Sequence, residues 1–505
     1  MMSGKSAAGI LARNAEQDIF PSWMTLEKAG DIEHLAFQRY PTTRSVTMLA
    51  QLLSSDHKHL LDHKGIPLVY QYIVLAIVAV NLVVRGGIVE MDDIQATYLV
   101  ETAHPLGVAA AVMAGEQSSG TFVRVPGETP ELTEKHAAKV VSITPIETVQ
   151  APSLPGSRAP KDTQEWQRAE IVISYPLANV GASLAALITT VSGNLYELGQ
   201  FSGLKLLDVT IPSAFSEVYQ PPQFGIDGTR RLSGVFSRPL IGTIIKPSVG
   251  LSPEQTASLV KSLCGAGIDF IKDDELQTNA PHSPLKRRIE AVMREVNESS
   301  QRTGKMVMYA FNITGDLEDM LRGHDLVLAQ GGTCVMVNLL ATGLTAVAYL
   351  RKHSQLPIHG HRAGWGGISR HPYLGISYTA YQKFARLAGV DHLHVNGFLN
   401  KFTESDESVL TSATECMKPL FGGYAVMPVF SSGQSAKQVQ QTFSEVGTDL
   451  IYLAGGGILG HPSGPEAGVK SLNEAWEAAM SNTPIADYAA DHPALQQALS
   501  AFGAR

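Results

Sequence analysis

The chain has 505 residues, 44% of them hydrophobic and 17% charged, with a formal net charge of −8. This is enough for two or three domains with sizeable cores, and it excludes a disordered or fibrous protein. Lysines and arginines are scattered instead of gathered in blocks, which argues against a nucleic-acid partner and for a small molecule.

The first ninety residues carry no secretory signal pattern. Within them Ile66–Val84 is uncharged and just long enough to span a bilayer, but Pro67, Gln71 and Asn81 weaken that reading in favour of a buried helix or strand pair. Arg85-Gly86-Gly87, which purine-rich codons can encode a few positions before Met91, looks like a translated ribosome-binding site. Residues 1–90 are therefore expected to be an upstream extension, with the native start at Met91. From there IQATYLVETA reads as a strand, PLGVAAAVMAGEQS as a helix, AEIVISYPL as a strand and SLAALITTVSGNLYEL as a helix, giving a small α+β domain over 91–220. The turn-rich PPQFGIDGTRR (221–231) is the expected joint to the next domain.

Eight short apolar runs follow over 232–505, with helix-length segments between them: IGTIIKP, DFIKDDE, MVMYAFN, CVMVNLL, PIHGHRA, DHLHVNG, VMPVFSS and LIYLAGGG. Continuous apolar runs suit strands buried on both faces, and eight of them predict a (β/α)8 barrel. The first intervening helix is signed by Ser252 as N-cap, Pro253 and Gln255 behind it, and Gly265 or Gly267 near its end. Cys264, Cys334 and Cys416 lack metal-type spacing and are expected as reduced buried thiols of a cytoplasmic protein.

Catalytic groups of such barrels sit at the C-terminal ends of the strands. The runs here end in Lys246, then Lys272 with Asp274 and Glu275, Asn312, Asn338, His361 with Arg362, His394, Ser431 with Ser432, and Gly455 with Gly456. Each one singly also fits a solvated strand end, an ion pair or a satisfied core histidine; all eight together point to a site. If Lys272 added CO2 to become a carbamate, it would join Asp274 and Glu275 as a third hard oxygen ligand, a set that Mg2+ accepts. Arg362 is a natural phosphate fork. The glycines of Ala454–Gly460 formally match a dinucleotide motif, but after the last barrel strand they read better as a backbone phosphate cradle. Lys246 could act as a base and Lys401 could close over an anion.

The motifs GTIIKP, GIDFIKDDE, HGHRAGWGG, DHLHVNGFLNK and GGGILGHP, with EQSSGT and SGNLYE upstream, together resemble the large subunit of ribulose bisphosphate carboxylase/oxygenase (RuBisCO) from about Met91 onward. The resemblance implies a ferredoxin-like α+β domain before the barrel, a homodimer with shared active sites that can assemble further, and Mg2+ held by carbamylated Lys272, Asp274 and Glu275. It further implies Lys246 as the enolising acid/base, His361 as a proton handler, and Arg362 and His394 on the far phosphate. Gly455 and Gly456, helped by Thr121, would hold the other phosphate, Glu116 and Asn194 would reach the partner's site, and Lys401 would present an ammonium to a carboxylate.

Departures from the carboxylase are as informative. Ser248 replaces a lysine, Ile244 a threonine and Phe122 a tryptophan, the phosphate turn reads Ser431-Ser432-Gly433, and the loop around Lys401 reads GFLNKFTES. These changes predict a RuBisCO-like protein carrying out Mg2+-dependent enediolate chemistry on a phosphorylated keto sugar acid. Decarboxylation of the 3-oxo-isoapionate-4-phosphate type is favoured. Enolisation or isomerisation of a methylthio-pentulose phosphate in methionine salvage is the alternative, and true carboxylation is disfavoured.

Overall fold

A computed structural model describes residues 93–119 and 125–502. The proposed extension 1–90, its apolar stretch Ile66–Val84, the start at Met91, and Thr121 with Phe122 lie outside the described residues.

The N-terminal part is built on β1 (Asp93–Thr102), β2 (Lys139–Val149), β3 (Trp166–Pro176) and β4 (Phe201–Thr210). Buried and part-exposed residues alternate along β1, as a sheet with one covered face requires. Helices Leu106–Glu116 and Leu184–Val191 supply Met113, Leu184 and Leu187 to the core that Tyr98, Val100 and Ile171 share. With β10 (Leu374–Ile376) the strand order is β10-β4-β1-β3-β2, and β1 to β4 are antiparallel to one another where they pair.

The eight apolar runs are β5 (Leu240–Ile244), β6 (Phe270–Lys272), β7 (Met308–Asn312), β8 (Cys334–Asn338), β9 (Ile358–His361), β11 (His392–His394), β12 (Met427–Phe430) and β13 (Ile451–Leu453), which close a parallel barrel. Its interior is filled by Leu240, Phe270, Met308, Met336, Met427 and Ile451, all essentially inaccessible. The tenth strand, β10 (Leu374–Ile376), leaves this series and adds in parallel to β4, so the segment between β9 and β11 stitches the sheet to the barrel. Lys205 reinforces the seam by donating to the carbonyls of Ser369 and His371 at 2.8 Å each.

The helix after β5 runs Pro253–Gly265 and is opened by the expected capping box of Ser252 and Gln255. The joint is only partly turn, because Gly225–Ser233 is a helix. The Asp391 carboxylate accepts the Phe224 and Gly225 N–H groups, and buried Arg230 donates to Val235, Arg238 and Thr448 carbonyls next to strand starts. This helix therefore covers the N-terminal mouth and leaves the opposite end for chemistry. The three cysteines are free and buried, and among the described residues no helix is long and apolar enough to cross a membrane.

Candidate active site

Strands β5 and β6 bring two lysines against two carboxylates. Lys246 Nζ donates to Asp274 Oδ2 at 2.5 Å and to Ser248 Oγ at 2.9 Å, so the serine found in place of a lysine is an acceptor for its neighbour. Lys272, the last residue of β6, is 1% exposed; its Nζ donates to the Asp273 carbonyl at 2.9 Å and lies 3.4 Å from Glu275 Oε2. Burial lowers the Lys272 pKa against the opposing pull of Glu275 and Asp274. Burial also pushes the Glu275 carboxyl up, but the nearby Lys272 outweighs it and holds the group well below the ordinary carboxylate range.

The three consecutive acids do different work. Asp273 turns inward, where its carboxylate accepts from Tyr309 Oη at 2.6 Å, the Asn312 N–H at 2.9 Å and Arg288 Nε at 3.2 Å. Asp274 and Glu275 stay with the lysines, and their backbone is braced from the ends of β7 and β8. Asn312 Nδ2 donates to both carbonyls at 3.1 Å, and Asn338 Nδ2 to the Glu275 carbonyl at 3.0 Å. Asn338 Oδ1 is left buried without a hydrogen-bond partner. The two carboxylates beside a desolvated lysine are hard oxygen donors of the kind that suits a divalent cation such as Mg2+, with Lys272 able to join them only once it carries an oxygen donor.

On β9 and β11 three histidines converge with this group. His361 Nε2 lies 3.5 Å from Glu275 Oε2, while its Nδ1 accepts the Ala363 N–H; burial, reinforced by Lys272, pushes the imidazole down to about 3 and keeps it neutral. Its ring is 4.4 Å from that of His394. His394 heads a chain through the barrel interior: Nδ1 meets Ser431 Oγ at 3.1 Å, Nε2 meets His359 Nε2 at 2.8 Å, His359 Nδ1 meets His392 Nδ1 at 3.3 Å, and His392 Nε2 meets Thr229 Oγ1 at 2.7 Å. Burial lowers all three pKa values, so the rings are neutral. Thr229 gives its one hydroxyl proton to the Gly225 carbonyl. It must therefore accept from His392, which orders every proton back to the Ser431 hydroxyl donating to His394.

Arg362 is buried beneath the loop that follows β11. Its Nη2 pairs with Glu404, and its guanidinium carbon lies 4.6 Å over the Tyr378 ring. Lys401, in the same loop, is exposed; its backbone N–H donates to the Ser432 carbonyl at 2.9 Å. Gly433 in the Ser431-Ser432-Gly433 turn sits at φ +98°, a left-handed conformation that glycine adopts without strain. Gly455 and Gly456 open the short helix after β13, where N–H groups have no acceptor within the helix. Glu116 and Asn194 are both exposed and 3.4 Å apart, Asn194 Nδ2 donating to Glu116 Oε1. Sequence reading gave Asn312 and Asn338 no role and passed over Asp273's anchor, His359, His392 and Glu404. Asn312 and Asn338 carried a signal as strand ends and Glu404 as part of the altered loop; Asp273's anchor, His359 and His392 carried none of their own.

Comparison with known proteins agrees with this fold. Residues 225–502 match the family described as ribulose bisphosphate carboxylase large chain, catalytic domain, and residues 88–215 match its N-terminal domain. A Xanthobacter autotrophicus protein named 3-oxo-isoapionate-4-phosphate transcarboxylase/hydrolase is 51% identical over 81% of this chain and 99% of its own length. A Rhizobium etli protein named 3-oxo-isoapionate-4-phosphate decarboxylase is 44% identical over 80% and 98%. The crystal structure of a rubisco-like protein from Burkholderia fungorum superposes with a TM-score of 0.76 at 46% identity, covering 81% of this chain and 99% of that one. The chain belongs to the RuBisCO large-chain family, among its RuBisCO-like proteins.

Proposed function

We propose that this protein is an Mg2+-dependent carboxy-lyase that decarboxylates a phosphorylated 3-oxo sugar acid of the 3-oxo-isoapionate-4-phosphate type. The observation that carries the reading is the joining of two features on one barrel mouth. Lys246, Lys272, Asp274, Glu275 and His361 form an enolising group, and Lys401 stands exposed on a loop tied to the Ser431–Gly433 turn. The names carried by the Xanthobacter and Rhizobium relatives support the same substrate.

Lys272 as carbamate, Asp274 and Glu275 are the proposed metal ligands; when bound, Mg2+ would polarise the keto oxygen and stabilise negative charge developing there. Lys401 Nζ holds the substrate carboxylate, and the N–H groups of Gly455 and Gly456, with Thr121, hold the phosphate. The bond from carboxylate to α-carbon breaks, CO2 leaves, and the electron pair passes through the α-carbon to the keto oxygen. Lys246 Nζ then returns a proton to that carbon, with His361, kept neutral, positioned to relay it. Ser431 and Gly433 are proposed as substrate- and phosphate-binding residues of the turn whose Ser432 carbonyl accepts from the Lys401 N–H. Arg362 and His394 mark where a second phosphate of a bisphosphate would lie. Residues 91–220 and 232–505 are the proposed domains of a cytoplasmic homodimer in which Glu116 and Asn194 complete the partner's site. The alternative, enolisation of a methylthio-pentulose phosphate, offers Lys401 no carboxylate to hold.

The test supplies purified protein, Mg2+ and bicarbonate with β-keto acid phosphates, methylthio-pentulose phosphates and ribulose bisphosphate in parallel. CO2 release from the keto acid alone is the expected result. Turnover only of the methylthio compound would transfer the protein to the alternative reading.

A further inference from the structure

We infer that Glu404 fills the second anion pocket of this barrel with a carboxylate from the protein itself, and so restricts the enzyme to substrates with a single phosphate. The inference deepens the proposed function and rests on its assignment of Arg362 and His394 to that pocket.

Glu404 is held as a bound anion would be. One oxygen accepts from Arg362 Nη2 and, at 2.6 Å, from Asn396 Nδ2, while the other accepts from Ser408 Oγ at 2.8 Å. Its side chain is 15% exposed and that of Arg362 only 6%, so the pair is largely withdrawn from water. Charge-assisted contacts of this kind are the ones a phosphate would have to replace. A phosphate entering beside Glu404 would meet a like charge at contact distance and strand a desolvated carboxylate.

Arg362 Nη1 is buried without a hydrogen-bond partner, but His394 and Ser432, the other side-chain donors beside it, are committed. The ordered histidine chain fixes His394 with its proton on Nε2, given to His359, and with Nδ1 accepting from Ser431. It therefore has no N–H to offer a phosphate. Ser432 donates to Asn396 Oδ1 at 2.7 Å, which keeps the Asn396 amide turned toward Glu404. The arrangement recognises a substrate with one phosphate, at the Gly455–Gly456 end, by opposing the second.

Isothermal titration of the whole protein with ribulose 1,5-bisphosphate and with ribulose 5-phosphate, in Mg2+, tests this without any need for turnover. Wild type is expected to bind the two with Kd values within about threefold. Glu404→Ala is expected to tighten the bisphosphate by about tenfold or more and to change the monophosphate little. Glu404→Gln, which keeps the shape and loses the charge, should shift the ratio the same way by less, and adding Arg362→Ala to Glu404→Ala should cancel the gain. The inference is overturned if wild type already prefers the bisphosphate by about tenfold, or if folded Glu404→Ala and Glu404→Gln both keep the wild-type ratio. Because binding alone is read, absence of decarboxylation would remove the proposed reaction and leave the result on Glu404 standing.

Discussion

Lys272 is held at 1% exposure beside the Glu275 carboxylate, and burial lowers its pKa. Desolvation favours its neutral amine, the form that can add CO2, so activation by bicarbonate should rise with pH and reach half-maximum below the ordinary lysine value. Lys272→Ala should lower Mg2+-dependent turnover by about 10^3-fold with an unchanged circular dichroism spectrum. Undiminished turnover would remove the proposed ligand set. Lys401→Ala acts at the other end of the substrate and should damage CO2 release far more than exchange of the substrate's carbon-bound proton. Measuring both rates on one sample separates the roles, and equal losses would contradict a carboxylate contact. These lysines were legible because each ends an apolar run or lies in a motif. Asp273 reads as one more acid of the same cluster, and only its bonds to Arg288, Tyr309 and Asn312 set it apart.

At the scale of elements, the site is an alignment of strand ends. Asn312 and Asn338 close β7 and β8, and their amides hold the Asp274–Glu275 backbone in place for the carboxylates. Asn338→Ala should weaken Mg2+ binding by about tenfold with little change in melting temperature, as loss of a brace behind a metal ligand does. A Mg2+ titration followed by calorimetry reads this directly, and wild-type affinity would deny the asparagine its positioning role. The eight barrel strands were visible in the sequence because burial on both faces leaves continuous apolar runs. Strand β2 was not, since nearly all its residues are exposed and Pro145 interrupts the pattern. The helix Gly225–Ser233 carries two glycines and an aspartate and reads as turn. It is held by Asp391 and by Arg230 contacts that reach far along the chain.

For the whole molecule, the N-terminal mouth is closed by a helix and the C-terminal mouth gathers the lysines, carboxylates and histidines. Order within the mouth depends on contacts between strands: the histidine chain links β9 to β11 and ends on Thr229, in the helix at the far mouth. No single run of sequence shows such a chain, whereas the family motifs show the outline of the site at once. The central claim is that this outline performs Mg2+-dependent loss of CO2 from a keto acid phosphate. The most direct test is NMR of protein, Mg2+ and bicarbonate with 3-oxo-isoapionate 4-phosphate in D2O, repeated after chelation of the metal. The account predicts CO2 release, one deuterium on the carbon that lost it, and no reaction after chelation. Unchanged substrate with metal present, or CO2 release that persists without it, would contradict the account.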